Sequence, residues 1–339
     1  ITRATDNRIA DRMGYEPLIR RAPDATNIAP NIAESWDISA DGKEYVFHLR
    51  EGMKWSDGHP FTADDLMFQY EMVFLNTDLS PSFPTWLKTR GNPVVAEKID
   101  DYTIKYTFSD TNGLFLELLT FRGDSLYAPK HYLEQFHIDF AEKGSLDAMV
   151  KERGFEFWYQ LFGSMANVGL NPELPTIRSW KLTTDTSGTR QIAERNPYYW
   201  KIDPAGNQLP YIDRVVFDLV ESGEIANFKA MAGEVDMQSR YMGFPNYTVF
   251  QENAAKAGYE VYQWKNPVSD VVNLNLTYPD PVIRELFQTR DFRIALSSAI
   301  NRPEISELVY LGVGEPWQCL PVEEDPFFVA PKYLEYDPD

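Results

Sequence analysis

One cysteine, Cys319, is all the thiol this chain of 339 residues contains, so no disulfide can close within it. That suits a cytosol. It equally suits a bacterial export compartment, where a chain able to build a sizeable core needs no staples. Histidine is also scarce: His48, His59, His131 and His137 are scattered. His131 and His137 miss the i, i+4 spacing that puts two ligands on one helix face, and no cysteine pair completes a zinc site. His48 falls mid-strand and reads as a packed or half-exposed residue. No metal and no cofactor is expected. Cations are few, 32 Lys+Arg against 51 Asp+Glu, for a net charge of −19. Nucleic-acid affinity rests on cations that neutralise phosphates, so this balance argues against nucleic acid as a partner. No apolar run approaches the length of a membrane-spanning helix. No signal-peptide pattern precedes Ile1, so an export signal, if the protein is exported, lies outside these residues. Catalytic signatures are missing too: no Gly-rich phosphate loop, no His-Glu-x-x-His and no Gly-x-Ser-x-Gly. Asp64 and Asp65 are adjacent and sit where a helix begins, so electrostatic capping explains them better than paired catalysis. The acids Glu323, Glu324 and Asp325 fall in a proline-rich loop and read as solvated charge. No enzymatic activity is expected.

Aromatic residues, by contrast, make up 14% of the chain, with 8 Trp, 19 Tyr and 21 Phe. They fill a large core or, on a sharper reading, line a cleft with stacking surfaces. The length implies about two domains. Residues 8–20 open with an amphipathic stretch that Pro17 interrupts. Residues 35–65, "SWDISADGKEYVFHLREGMKWSDGHPFTADD", alternate, turn at Asp41-Gly42, alternate again and turn at Asp57-Gly58. Tyr45, Phe47 and Leu49 share one strand face. Thr62 then caps a helix, with Asp65 as its capping-box partner. Leu66, Tyr70, Val73 and Phe74 form the helical stripe. Strands follow over 94–108, helices over 113–121 and 129–162, and strands again from 176 to a turn-rich loop at 196–220. A short helix is expected at 223–232. "GEVDM", "GYEVYQW" and "VVNLNLTY" at 271–278 read as short strands. Asp291 is expected to cap a helix through Ile300, and a second helix ends at Gly312.

Four blocks stand in order: "NIAPNIAESWDISADGKEYVFHLREGMKWSDGHPFTADDLMFQYEMV", "ERNPYYWKIDPAGNQLPYIDRVVF", "FKAMAGEVDM" and "TRDFRIALSSAINRPEISELVYLGVGEP". Together they resemble bacterial family 5 extracellular solute-binding proteins, the peptide-, nickel- and oligosaccharide-binding subunits of ABC importers. The resemblance implies an α/β fold of the periplasmic binding protein type II kind, two lobes with mixed sheets plus an accessory domain. It assigns residues 1–35 to lobe I, 36–170 to the accessory domain, 171–278 to the rest of lobe I and 279–339 to the start of lobe II. On that reading the chain is truncated at both ends, and Trp36 and Trp55 are core residues.

The family's mechanism is hinged closure of two lobes on a solute, followed by docking on a membrane permease. The resemblance implies a monomer, periplasmic or extracellular, either free or anchored as a lipoprotein. Oligopeptides are the first ligand class and oligosaccharides the second; a hydrolase of the same ligands is the rival from another class. The Tyr-Glu-x-Leu segment that borders the family's cleft falls at Tyr15, Glu16, Pro17 and Leu18, making Glu16 the acidic candidate. The competing reading of Glu16 is a solvated helix-end acid. The cleft-lining Gly-x-Tyr motif falls at Arg178, Ser179 and Trp180, a departure at two of three positions. Arg178 could meet a ligand carboxylate or a sugar hydroxyl. Trp180 could stack on a ring or fill core. Tyr241 and Met242 follow the third block toward the cleft. Asn273 and Asn275 share one face of the expected strand near the hinge, for ligand recognition or strand-edge bonding.

Overall fold

The computed structural model describes residues 14–23, 27–184, 186–263, 271–318, 320–321, 323, 325 and 327–337. The opening part of the amphipathic stretch, residues 8–13, and Cys319 lie outside them. The chain divides into two compact units, residues 1–221 and 222–339.

In the first unit β1 (Ile19–Arg21) pairs with β2 (Ile28–Pro30), so the segment after Pro17 is a strand and continues no helix. Next come β3 (Ala33–Ile38), β4 (Glu44–Leu49) and α1 (Ala63–Phe68), whose last residues pass into a π-helical turn at Gln69–Phe74. The small ladder β5 (Lys88–Thr89) and β6 (Asn92–Pro93) leads to β7 (Val95–Asp100) and β8 (Thr103–Thr107). Helices α2 (Phe115–Arg122), α3 (Lys130–Leu133), α4 (Lys143–Glu152) and α5 (Trp158–Met165) follow. The unit closes with β9 (Trp180–Leu182), β10 (Arg190–Arg195) and β11 (Arg214–Asp218).

The hairpin forms as its alternation demands. Strands β3, β4, β8 and β7 lie in that order, all antiparallel. Tyr45, Phe47 and Leu49 point into the core while Val46 and His48 stay half-buried. Gly42 holds φ at +66° in the Asp-Gly turn, a conformation that costs glycine nothing. Trp55 is buried at 2% exposure, and Trp36 packs at the edge of the same core. That core also takes Leu18, Ile19, Ile32 and Ile177, so it runs across position 35/36, which itself lies inside β3. A second cluster gathers Phe68 of α1 with Leu133, Phe136, Leu146, Leu161 and Phe162 around α3 to α5. His137 is fully buried there: its Nε2 faces the Met72 carbonyl at 3.0 Å and its Nδ1 accepts from Asp139 N at 3.3 Å. The π-turn supplies that Met72 carbonyl.

The capping box at α1 is complete. Thr62 Oγ1 accepts from Asp64 N, and Asp65 returns to Thr62 N at 3.1 Å. Asp65 does more than cap, since it is 3% exposed and also accepts from Trp55 Nε1 at 3.1 Å and Lys130 N at 3.2 Å. Burial pushes its carboxyl up to about 6, against the downward pull of those hydrogen bonds.

The second unit holds α6 (Gly223–Met231), α7 (Tyr247–Ala257), α8 (Pro281–Gln288), α9 (Arg290–Ser298) and α10 (Arg302–Tyr310). Helices α6, α9 and α10 lie where the sequence puts them. Asp291, however, sits in the first turn of α9, and Thr289 is the N-cap. The segments "GEVDM", "GYEVYQW" and 271–278 form no strand among the described residues. A strand needs a ladder partner, and alternation alone supplies none.

Asp65→Ala is expected to cost about 3 kcal/mol or more, because it removes a cap and leaves buried donors unpaired. Urea unfolding measures it. The raised carboxyl also sets a sign: the folded chain takes up this proton before the unfolded chain, whose value is about 3.9. Between about pH 6 and about pH 4 this group therefore adds stability as pH falls. Relative to Asp65→Asn, the wild type should gain stability over that interval.

Candidate functional site

Glu16 lies in an irregular segment before β1 and is 2% exposed, so it is not a solvated acid. Its Oε1 accepts from Tyr199 OH at 2.6 Å and Lys201 Nζ at 2.9 Å. Its Oε2 accepts from Lys201 Nζ at 2.7 Å and Asn31 Nδ2 at 2.9 Å. These four bonds fill the carboxylate's acceptor positions. A buried charge demands such pairing. Burial in turn pulls Lys201 below the usual lysine range, with Glu16 opposing that pull. Burial, reinforced by Glu16, pushes the Tyr199 hydroxyl up.

Tyr127 joins this cluster to Arg178. Its hydroxyl donates to the Glu16 carbonyl at 2.7 Å and lies beside the Arg178 guanidinium. Arg178 is 9% exposed and donates through NH2 to Asp124 at 3.1 Å. Its NH1 is buried with no hydrogen-bond partner. A spare, charged donor fixed in a dry setting is the feature of the site best suited to an anionic or hydroxyl group of a ligand.

The backbone around Arg178 is clamped. Asn196 Nδ2 donates to the carbonyls of Thr176 at 3.2 Å and Arg178 at 2.9 Å, and Asn196 N donates to Ser179 O. Thr176 O accepts from Ser56 N, and Ser56 Oγ accepts from Thr176 N. The Asn-Pro block thus serves as a local lock, with Asn196 fully buried. Gly123 completes the close packing, since a Cβ there would stand 3.0 Å from Pro17 Cβ and 3.1 Å from Leu18 N.

Trp180 begins β9, opposite Arg195 of β10. Its Nε1 donates to Ile212 O at 2.9 Å, and its half-buried ring packs on the Leu182–Ala193 cluster. Lys201 and Trp200 also line an open concavity of about 1040 Å³. Arg50 stands 5.3 Å and Lys201 4.9 Å from the centre of the Trp200 ring.

The structure thus ties Glu16 to Arg178 through Tyr127, with Trp180 two residues further along. Tyr241, Met242, Asn273 and Asn275 belong to the second unit. Tyr241 holds φ at +65°, rare for a non-glycine residue, with its ring against Gly223. Met242 follows it, half-buried. Asn273 and Asn275 are exposed in an irregular segment, and Asn275 opens a turn in which its Oδ1 accepts from Thr277 N and Oγ1. No motif or spacing marks Asn31, Asp124, Tyr127, Tyr199 or Lys201 as site residues. Their bonds span up to 185 positions, beyond any spacing rule. Among the described residues no cluster of His, Cys, Asp and Glu suits a metal, and no helix is long and apolar enough to cross a membrane.

The fold is that of the periplasmic binding proteins. An oligopeptide-binding protein OppA superposes with a TM-score of 0.79 at 38% identity, over 99% of this chain and 53% of that one. A periplasmic binding protein from Agrobacterium fabrum, solved with stachyose, gives 0.62 at 26% identity over 89% and 44%. The profile of the bacterial extracellular solute-binding proteins, family 5 Middle, matches residues 27–339, and the chain belongs to that family. In sequence it is 31% identical to the periplasmic alpha-galactoside-binding protein of Rhizobium meliloti, over 88% of this chain and 43% of that protein. It is 23% identical to di/tripeptide-binding protein 1 of Pseudomonas aeruginosa, over 93% and 53%. The chain spans about half the length of these relatives.

Glu16→Ala is expected to destabilise the first unit by about 3–5 kcal/mol, because it leaves the half-buried Lys201 ammonium and the Tyr199 and Asn31 donors without their acceptor. Glu16→Leu combined with Lys201→Met should cost much less than the two single changes added. Chemical denaturation of the four proteins checks this coupling.

Proposed function

We propose that this chain is the solute-holding part of an ABC importer's substrate-binding component. It takes oligopeptides, releases them unaltered to a membrane permease and acts as a periplasmic or extracellular monomer. Family membership supports the binding role. The single observation that carries the ligand class is Arg178, a buried guanidinium with one nitrogen unpartnered, which suits a carboxylate. The likeness to an oligopeptide-binding protein supports the same choice.

In this reading Glu16 is a positioning residue. Its four acceptor bonds leave nothing for a ligand amine, and it fixes Tyr127 beside Arg178. Trp180 presents its ring, since its indole N–H is already committed. Tyr241, Met242, Asn273 and Asn275 are proposed as further ligand-contacting residues.

A second reading, an oligosaccharide binder, is favoured by the alpha-galactoside-binding and stachyose-bound relatives. Arg178 could then meet a hydroxyl and Trp180 a sugar face. Thermal shift of the full-length protein with trialanine and with stachyose separates the two. A ligand at 100 times its Kd adds about 2.7 kcal/mol. Stabilisation by trialanine, weakened at least about tenfold in affinity by Arg178→Ala, is expected from loss of a charged hydrogen bond. Stabilisation by stachyose alone overturns the peptide assignment, and hydrolysis of either probe overturns the binding role.

A further inference from the structure

A pair of histidines outside the site touches the clamp that holds Arg178. The rings of His59 and His131 are stacked, with centroids 3.9 Å apart and planes 7° from parallel. His131 Nε2 lies 2.8 Å from Asp57 Oδ2, and a carboxylate can only accept, so this nitrogen carries the hydrogen. His131 Nδ1 is buried and has no partner. His59 Nδ1 lies 3.0 Å from its neighbour's carbonyl, Pro60 O, and so carries its own hydrogen.

The stack pins the Asp57-Gly58 turn, which follows Trp55 and Ser56, against α3. Ser56 exchanges two hydrogen bonds with Thr176, and Thr176 Oγ1 accepts from Arg178 N at 3.1 Å. Trp55 packs on Tyr127, which reaches Glu16 and Arg178. We propose that the His59–His131 pair, tied to Asp57, positions the Arg178 segment through Ser56 and Thr176, and releases it when both rings are charged. The inference rests on the proposed role of Arg178 in ligand binding.

The charges around the pair explain the release. Asp57, from the same turn, stabilises one imidazolium at His131. A second imidazolium would lie in ring contact with the first, and like charges at that distance repel. Charging His131 at all puts the added proton on Nδ1, a buried donor without an acceptor. From α1, Asp65 faces His131 with a carboxylate already engaged by Trp55 and Lys130. Tyr198, whose hydroxyl abuts Gly58, carries the Lys54 charge over its ring.

The test uses the full chain labelled with 15N, titrated from about pH 7.5 to about pH 5, where histidine changes charge. The His59 and His131 ring signals should move in two linked phases. The amide signals of Ser56, Thr176 and Arg178 should follow the second phase. In His59→Phe the ring still stacks but carries no charge, so the Arg178 amide should stay in place. Any residual movement of Trp55 in that variant reports Asp65. Independent single-phase titration of the two rings, or an Arg178 amide as mobile in His59→Phe as in wild type, overturns the proposal. No ligand is needed, so failure here is separate from failure of the binding role. Should the variant not fold, the wild-type titration alone decides, because a still Arg178 amide refutes the coupling.

Discussion

The carboxylate of Glu16 is the group the first unit is organised around. A charge at 2% exposure is tolerated only where its partners are complete. Here they come from Asn31, Tyr199 and Lys201, so the ion pair links the start of the described chain to the loop after β10. That requirement fixes the loop, and Asn196 at its head fixes the backbone of Arg178. A single electrostatic constraint thus reaches from one end of the unit to the feature best suited to hold a ligand.

Arg178 makes the opposite choice from Glu16. In a chain with a net charge of −19, an acidic partner for every guanidinium nitrogen would be easy to supply. Asp124 takes only one of them. Nη1 is left without a partner, on a backbone that Asn196 and Thr176 hold in place and beside the Tyr127 hydroxyl. A donor already desolvated and oriented loses little freedom when a ligand arrives, so its interaction is less offset by ordering costs than a surface arginine's would be.

What the sequence made legible follows the range of the interaction. The β3–β4 hairpin, the Thr62–Asp65 box and helices α1, α2, α6 and α10 are set by neighbours within a few residues, and periodicity and capping reveal them. The expected strands of the second unit are absent among the described residues because alternation reports a face, not a partner. Helices α7 and α8 were not anticipated, although Asp280 before Pro281 is a sound cap and start for α8. Glu16 and Arg178 could be picked out by their resemblance to a family pattern. Their partners could not, because Lys201 is joined to Glu16 only by folding. The family block around Asn196-Pro197 could be recognised, but not the clamp it forms.

The junction beside α1 holds titrating groups of opposite effect. Asp65 is buried against its preference, so taking up a proton favours the folded chain. The stacked histidines oppose a second proton, because the two charges would meet face to face. Acid therefore acts in two directions on elements that share Trp55 and α3. Global unfolding adds the two effects and can show little net change with pH. Atoms along the path do not average them: Trp55 senses Asp65 directly, whereas Thr176 and Arg178 sense the histidines through Ser56. A fold of unchanged overall stability can therefore still loosen its grip on one arginine, because that grip depends on a turn rather than on the core.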